Sequence, residues 1–142
     1  MGHTYALNYL HCIFSTKERR PLIADRRALY GYLDGIARGE GFKLMEAGGT
    51  ADHVHVLVEL PATYRLADAM KKLKGGSSKW IGEQFAWQQG YGAFSVAPSQ
   101  LGVVREYIRN QEAHHRKRDF EAEFLALLRA CGVDYDPQYV VG

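Results

Sequence analysis

His53-Val54-His55-Val56-Leu57-Val58-Glu59-Leu60 is the most regular alternation in the chain, and the rest is read outward from it. In an extended strand, successive side chains point to opposite faces. Val54, Val56, Val58 and Leu60 therefore share one face, and His53, His55, Leu57 and Glu59 share the other. The valine face calls for a cover of apolar helices. That leaves two imidazoles about 6.6 Å apart along the strand on the opposite face. At this spacing two rings can converge on one cation through metal–nitrogen bonds of about 2.0–2.2 Å. An H-x-H pair is a weak signal by itself, because histidines of a core or a solvated face account for most of them.

Upstream, residues 5–15 are rich in aromatic and β-branched side chains and predict a strand. A basic loop over 16–24 holds Pro21. Asp25 is placed to cap a helix whose apolar residues, Leu29, Tyr32, Leu33 and Ile36, recur at helical spacing. Gly39 and Gly41 end it with the left-handed positions a C-cap prefers. A short strand over 42–46 and a Gly48-Gly49 turn lead back to the histidine strand. Downstream, Pro61 closes that strand and a helix runs over 66–85, with Leu66, Met70, Leu73, Ser77, Trp80 and Ile81 on its apolar face. Gly75-Gly76 interrupts it at about 1 kcal/mol per glycine relative to alanine, either as a kink or as a point of close backbone approach. A Gly90-Tyr91-Gly92 turn, a strand over 93–97, a helix from Ser99 to about 114 and one from Asp119 over 120–131 complete the chain. The order β-α-β-β-α-β followed by two helices is an α+β, ferredoxin-like split βαβ, with helices on one face of an antiparallel sheet.

The chain has 142 residues, 46% of them hydrophobic and 24% charged, which is the composition of one globular domain spanning 1–142 rather than a disordered chain. No run approaches the ~18 apolar residues of a membrane span, and the N-terminus lacks the basic head and apolar run of a secretory signal. Cys12 and Cys131 supply neither a disulfide framework nor a CxxC knuckle, so a cytoplasmic protein with free thiols is expected. Net charge is only +2, but it is segregated. Arg65, Lys71, Lys72, Lys74 and Lys79 face Asp68 alone. Arg105, Arg109, Arg116, Lys117 and Arg118 outnumber Glu106 and Glu112, and Lys17, Arg19 and Arg20 cluster near the N-terminus. Such segregation suits either a surface that meets a polyanion or a set of solvated helix faces.

Tyr107 and Gln111 stand four residues apart and share a helix face, with Arg105, Arg109 and Arg116 nearby. With nine tyrosines in the chain, packing is the ordinary role for one of them. The company raises Tyr107. His53-Val54-His55 resembles the HUH motif (His-hydrophobic-His), and Tyr107-Ile108-Arg109-Asn110-Gln111 resembles the nucleophile helix of single-tyrosine HUH transposases. These comprise the TnpA-type transposases of small insertion sequences and the REP-associated tyrosine transposases. The likeness continues in residues 74–80 (KGGSSKW), in 87–96 (WQQGYGAFSV) and in a tail with His114, His115, Phe120, Glu123 and Phe124. Five segments in the right order at compatible spacings carry it. Gly76 departs from the pattern, standing where relatives commonly have a basic residue.

The resemblance implies an enzyme that cuts and rejoins single-stranded DNA at hairpin-marked ends through a 5′-phosphotyrosine link. Tyr107 would be the nucleophile, with His53, His55 and Gln111 holding a divalent cation, Mg²⁺ or Mn²⁺. It also implies a homodimer, in which one subunit's tyrosine helix can complete the other's site. Arg19, Arg20, Lys71, Lys72, Lys74 and Lys79 are the candidate DNA contacts. Three other readings stay open at this point. One is a non-catalytic nucleic-acid-binding module on the same fold. Another is a metal-dependent single-strand nuclease that uses water. The last is a small zinc protein using Cys12 with His53 and His55.

Overall fold

Four antiparallel strands form one sheet in the order β2-β3-β1-β4: β1 (Tyr9–Ser15), β2 (Lys43–Gly49), β3 (His53–Glu59) and β4 (Gly92–Val96). Helix α1 (Arg26–Glu40) joins β1 to β2 and α2 (Leu66–Ile81) joins β3 to β4, which is the ferredoxin-like arrangement expected. After β4 come α3 (Leu101–Arg109), α4 (Gln111–His114) and α5 (Phe120–Ala130). The computed structural model describes residues 2–114 and 119–136, with only the backbone of His114. His115 and the basic run 116–118 lie outside the described residues. Among these residues, no helix is long and apolar enough to cross a membrane.

The local signals act as the residues dictate. The Asp25 carboxylate accepts from the Ala28 N–H at 3.0 Å, and Gly41 ends α1 at φ 87°; a cap of this kind is worth about 1 kcal/mol. Asp119 accepts from the Ala122 N–H in the same way at the start of α5. Helix α2 runs unbroken through both glycines. A Cβ on Gly76 would lie 2.8 Å from Ile36 Cδ1, so this glycine lets α1 and α2 pack closely. The main core lies under these helices, where Cys12, Phe14, Val54, Val56 and Val58 of the sheet meet Leu29, Leu33, Met70 and Leu73.

The opposite face is covered too, by the C-terminal helices that the sequence predicts without placing. Ile108 of α3 is fully buried, and Phe120 and Leu128 of α5 close over Ile13 and Phe94. These apolar residues would otherwise be left in water, and the second face of the sheet is the surface that remains to bury them. Gly48, expected in a turn, is a strand residue opposite His55; the chain reverses at 50–52 instead. The expected single helix over 99–114 is also divided. A 3₁₀ turn (Pro98–Gln100) precedes α3, so Ser99 is not its cap, and Asn110 (φ −97°, ψ 23°) separates α3 from α4. That break leaves Gln111 at the start of a new turn, buried beneath Tyr107.

Candidate metal and tyrosine site

Both imidazoles of β3 point to the face under α3 and α5, with ring centroids 5.2 Å apart and no exposed surface. Each is oriented by its Nδ1. The Asp52 Oδ1 lies 2.8 Å from His53 Nδ1, and the Thr50 hydroxyl donates to that same carboxylate at 2.9 Å. Asp52 is thus an acceptor for His53 Nδ1, which turns His53 Nε2 inward. His55 Nδ1 lies 2.8 Å from His11 Nε2. Burial first, and the neighbouring His55 second, hold the His11 imidazole down at about 3, with the Glu123 carboxylate pulling the other way. A neutral His11 can accept the bond, and His55 also turns its Nε2 inward, toward Glu123 Oε1 at 2.9 Å. This is the orientation that metal-binding histidines receive from outer partners.

Two oxygens complete the cluster. The Gln111 Nε2 donates to the Tyr107 carbonyl at 3.3 Å, which turns Oε1 toward His53 Nε2 at 3.2 Å. Glu123 of α5 places Oε1 2.9 Å from His55 Nε2 and 3.8 Å from His53 Nε2. Gln111 and Glu123 are each only 1% exposed. Two imidazole nitrogens, an amide oxygen and a carboxylate oxygen thus converge in a buried space. With both imidazoles deprotonated at Nε2, all four are donors that one divalent cation can accept. His53, His55 and Glu123 meet the geometric requirement for a metal group among the described residues, and the donor set suits an ion that accepts both nitrogen and oxygen, Mn²⁺ more readily than Mg²⁺. The Tyr107 hydroxyl donates to Glu123 Oε2. Its ring lies 5.8 Å from the His55 ring and 6.0 Å from that of His11. Phe120 walls the other side at 4.6 Å from His53.

The structure therefore brings His53, His55, Gln111 and Tyr107 together in one chain. Cys12 belongs to the opposite core among the valines, which removes the zinc reading that joined it to the histidines. The basic residues are dispersed. Arg19 lies 3.9 Å from Glu121 on α5, and Arg20 pairs with Glu18 at 2.9 Å. Lys71, Lys72 and Lys79 are exposed on α2, across the sheet from the imidazoles. Lys74 ties down the loop before β4 by donating to the Gln88 and Gly90 carbonyls at 2.8 and 2.6 Å. Sequence reasoning gave no role to Glu123, His11 or Asp52. A signal for Glu123 was present: it falls on the same helix face as Phe120, Phe124 and Leu127, a carboxylate in an apolar stripe.

Comparison with known proteins gives the family. The family model described as "Transposase IS200 like" matches residues 4–111. Transposases for insertion sequence element IS200 from Salmonella typhimurium and Salmonella typhi are each 29% identical over 124 residues, covering 78% of this chain and 81% of theirs. The ISDra2 transposase TnpA of Deinococcus radiodurans is 26% identical over 125 residues, covering 78% of this chain and 87% of its own. Among solved structures, a transposase from Deinococcus radiodurans superposes with a TM-score of 0.61 at 25% identity, covering 78% of this chain and 96% of its own. A REP-associated tyrosine transposase bound to a REP hairpin shares the fold, with a TM-score of 0.65 at 14% identity over 81% of this chain and 73% of that one. With three quarters of its length inside the family model, the chain is a member of the IS200-like transposases.

Proposed function

We propose that this transposase cleaves and rejoins single-stranded DNA at hairpin-marked ends, with Tyr107 as nucleophile and a divalent cation held by His53, His55 and Gln111. The observation that carries this is the Tyr107 hydroxyl lying in the same buried site as the inward-facing Nε2 atoms of its own chain. A free phenol, with a pKa near ~10, is a poor nucleophile at neutral pH. The protein therefore has to aim its oxygen and neutralise the phosphate. Helix α3 does the aiming, since it is packed on β2 through Gly48. A cation held by His53, His55 and Gln111 would supply the charge neutralisation. Attack by Tyr107 Oη on phosphorus breaks the P–O3′ bond, leaving a 5′-phosphotyrosine and a free 3′-hydroxyl. The covalent link conserves the bond energy, so a second 3′-hydroxyl can be joined without ATP.

Hairpin DNA as partner is supported by the relative solved with one. Arg19, 3.9 Å from Glu121 of α5, and the neighbouring Arg20 are the proposed contacts for strands entering the site. Lys71, Lys72 and Lys79 would meet DNA only as it wraps to the far face of the sheet. Because Tyr107 reaches its own imidazoles, the cut is made in cis, and a homodimer of this chain carries two complete sites. The reaction takes place in the cytoplasm, where chromosomal DNA and reduced thiols are found together.

The test is a labelled, hairpin-bearing single strand incubated with the protein and Mn²⁺, followed by a denaturing gel. A covalent adduct that disappears in Tyr107→Phe is expected. Cutting that survives Tyr107→Phe would assign the chain to water-using nucleases. Binding without any adduct across a range of candidate ends would leave a DNA-binding module.

A further inference from the structure

The chemistry proposed above requires a phosphodiester in a defined place. Its phosphorus must come within reach of Tyr107 Oη, and a non-bridging oxygen must face the donors of His53, His55 and Gln111. In the structure another group stands there. Glu123 offers Oε2 to the Tyr107 hydroxyl and Oε1 to the imidazoles. A carboxylate and a phosphodiester are alike in this respect, each presenting two oxygens that share one negative charge. Neither imidazole has any exposed surface, so no phosphate reaches them while α5 is seated.

The way α5 is held differs from the rest of the fold. Among the described residues, its apolar cluster has four buried members, Ile13, Phe94, Phe120 and Leu128, against seventeen in the core beneath α1 and α2. An exposed pair at its rim, Arg19–Glu121 at 3.9 Å, adds little. A cleft lined by Ser15, Gln88, Tyr91, Phe120 and Phe124 already runs along its edge. Segments with few buried apolar contacts are the ones that open at least cost.

Resting on the strand-transfer reading, we propose that Glu123 holds the place of the scissile phosphate. In DNA-free protein its Oε1 is the fourth donor to the divalent cation, and α5 withdraws to let the phosphodiester take over both contacts. Glu123 is then a resting-state ligand and a plug, not a participant in bond breaking.

Two measurements test this. Calorimetric titration with Mn²⁺ alone should show affinity at least ~10-fold weaker in Glu123→Gln and Glu123→Ala, with Glu83→Gln, an exposed control, matching wild type. At saturating Mn²⁺ the initial rate of adduct formation should rise in both Glu123 variants. Unchanged Mn²⁺ affinity would overturn the ligand role, and a slower rate at saturating Mn²⁺ would overturn the plug by showing that the carboxylate is needed in the chemistry. Should either variant fail to fold, DNA-free wild-type crystals soaked in Mn²⁺ decide. The ion is expected within about 2.0–2.3 Å of Glu123 Oε1, and an ion bound without that oxygen refutes the proposal. A wild type that never forms an adduct sinks the strand-transfer reading, while the titration and the soak still decide the ligand.

Discussion

Replacing Gly48 by alanine adds one methyl group at the point where α3 rests on the sheet. The new Cβ would overlap the Ile108 carbonyl oxygen, stand 2.8 Å from its carbonyl carbon and 3.1 Å from Ile108 Cγ2. Two of these neighbours are backbone atoms and cannot rotate away, so α3 itself must lift, carrying Tyr107 with it. Overpacking of this kind costs about 1–3 kcal/mol. With an unfolding entropy of roughly 2.1 cal/mol/K per residue, the midpoint of thermal unfolding should fall by about 3–10 °C. A displacement of about 1 Å in a catalytic group costs on the order of 10²-fold in rate, so adduct formation should drop much further than stability does. Gly75→Ala is the matched control. Nothing lies within 4 Å of its Cβ, and a helix-interior alanine should stabilise by up to about 1 kcal/mol. Calorimetry and the adduct assay on the two variants provide the comparison. A Gly48→Ala protein that melts and reacts like wild type would refute the view that this glycine sets the height of the tyrosine helix.

Removing the carboxylate that orients His53, by Asp52→Asn, should weaken Mn²⁺ binding about 10–100-fold with little change in fold, read by titration. Mixing Tyr107→Phe with a His53→Ala, His55→Ala double variant should restore no adduct formation, because the nucleophile and the imidazoles act within one chain; recovery to a substantial fraction of wild type would establish exchange between subunits. Burial pushes the Cys12 thiol from 9.0 up to about 12, so a thiol reagent at pH 8 should label the exposed Cys131 and leave Cys12 unmodified until unfolding, as mass spectrometry would show. The same shift sets an alkaline limit. The unfolded chain releases this proton near 9 while the folded one retains it, so the stabilisation is complete below pH 9 and is lost as pH rises toward 12, at up to about 1.4 kcal/mol per pH unit. Tyr30, also raised by burial to about 12, adds a similar loss above pH 10, and Cys12→Ala should flatten the slope between pH 9 and 10 in denaturant titrations.

Much of the fold was legible because its signals are local. Strand alternation at 53–60, the Asp25 and Asp119 caps and the Gly41 stop each act within a few residues, and each appears where the chain predicts it. The second helical layer was not legible in the same way. That α3 and α5 lie on the histidine face depends on Gly48 admitting the Ile108 backbone and on Phe120 meeting Ile13, contacts between residues 60 and 107 positions apart. Of the proposed site, His53, His55, Tyr107 and Gln111 could be named because the likeness to HUH transposases covers their positions. His11 escaped notice because a histidine in a strand has no spacing to mark it; only the pairing of Ile13 with His55 brings it to their ring. Glu123 was marked only by being charged where its helix is apolar, and such a residue acquires a role only from what it faces.

The covering of both faces bears on the reaction as well as on the fold. A phosphotyrosine intermediate is useful for strand transfer only if a 3′-hydroxyl reaches it before water does. With α5 withdrawn, the bound DNA has to supply that exclusion; with α5 seated, the resting site is already closed to water. Here α3, α5 and the sheet remove His53 and His55 from solvent entirely and leave 1% of Gln111 exposed. Water exclusion also strengthens every charge interaction inside. The same enclosure buries the Glu123 carboxylate beside His53 and His55, and a cation bound among them would offset its charge. Enclosure and metal binding are therefore linked through one helix, because α5 brings both the aromatic rings that shut out water and the carboxylate whose charge an ion would offset.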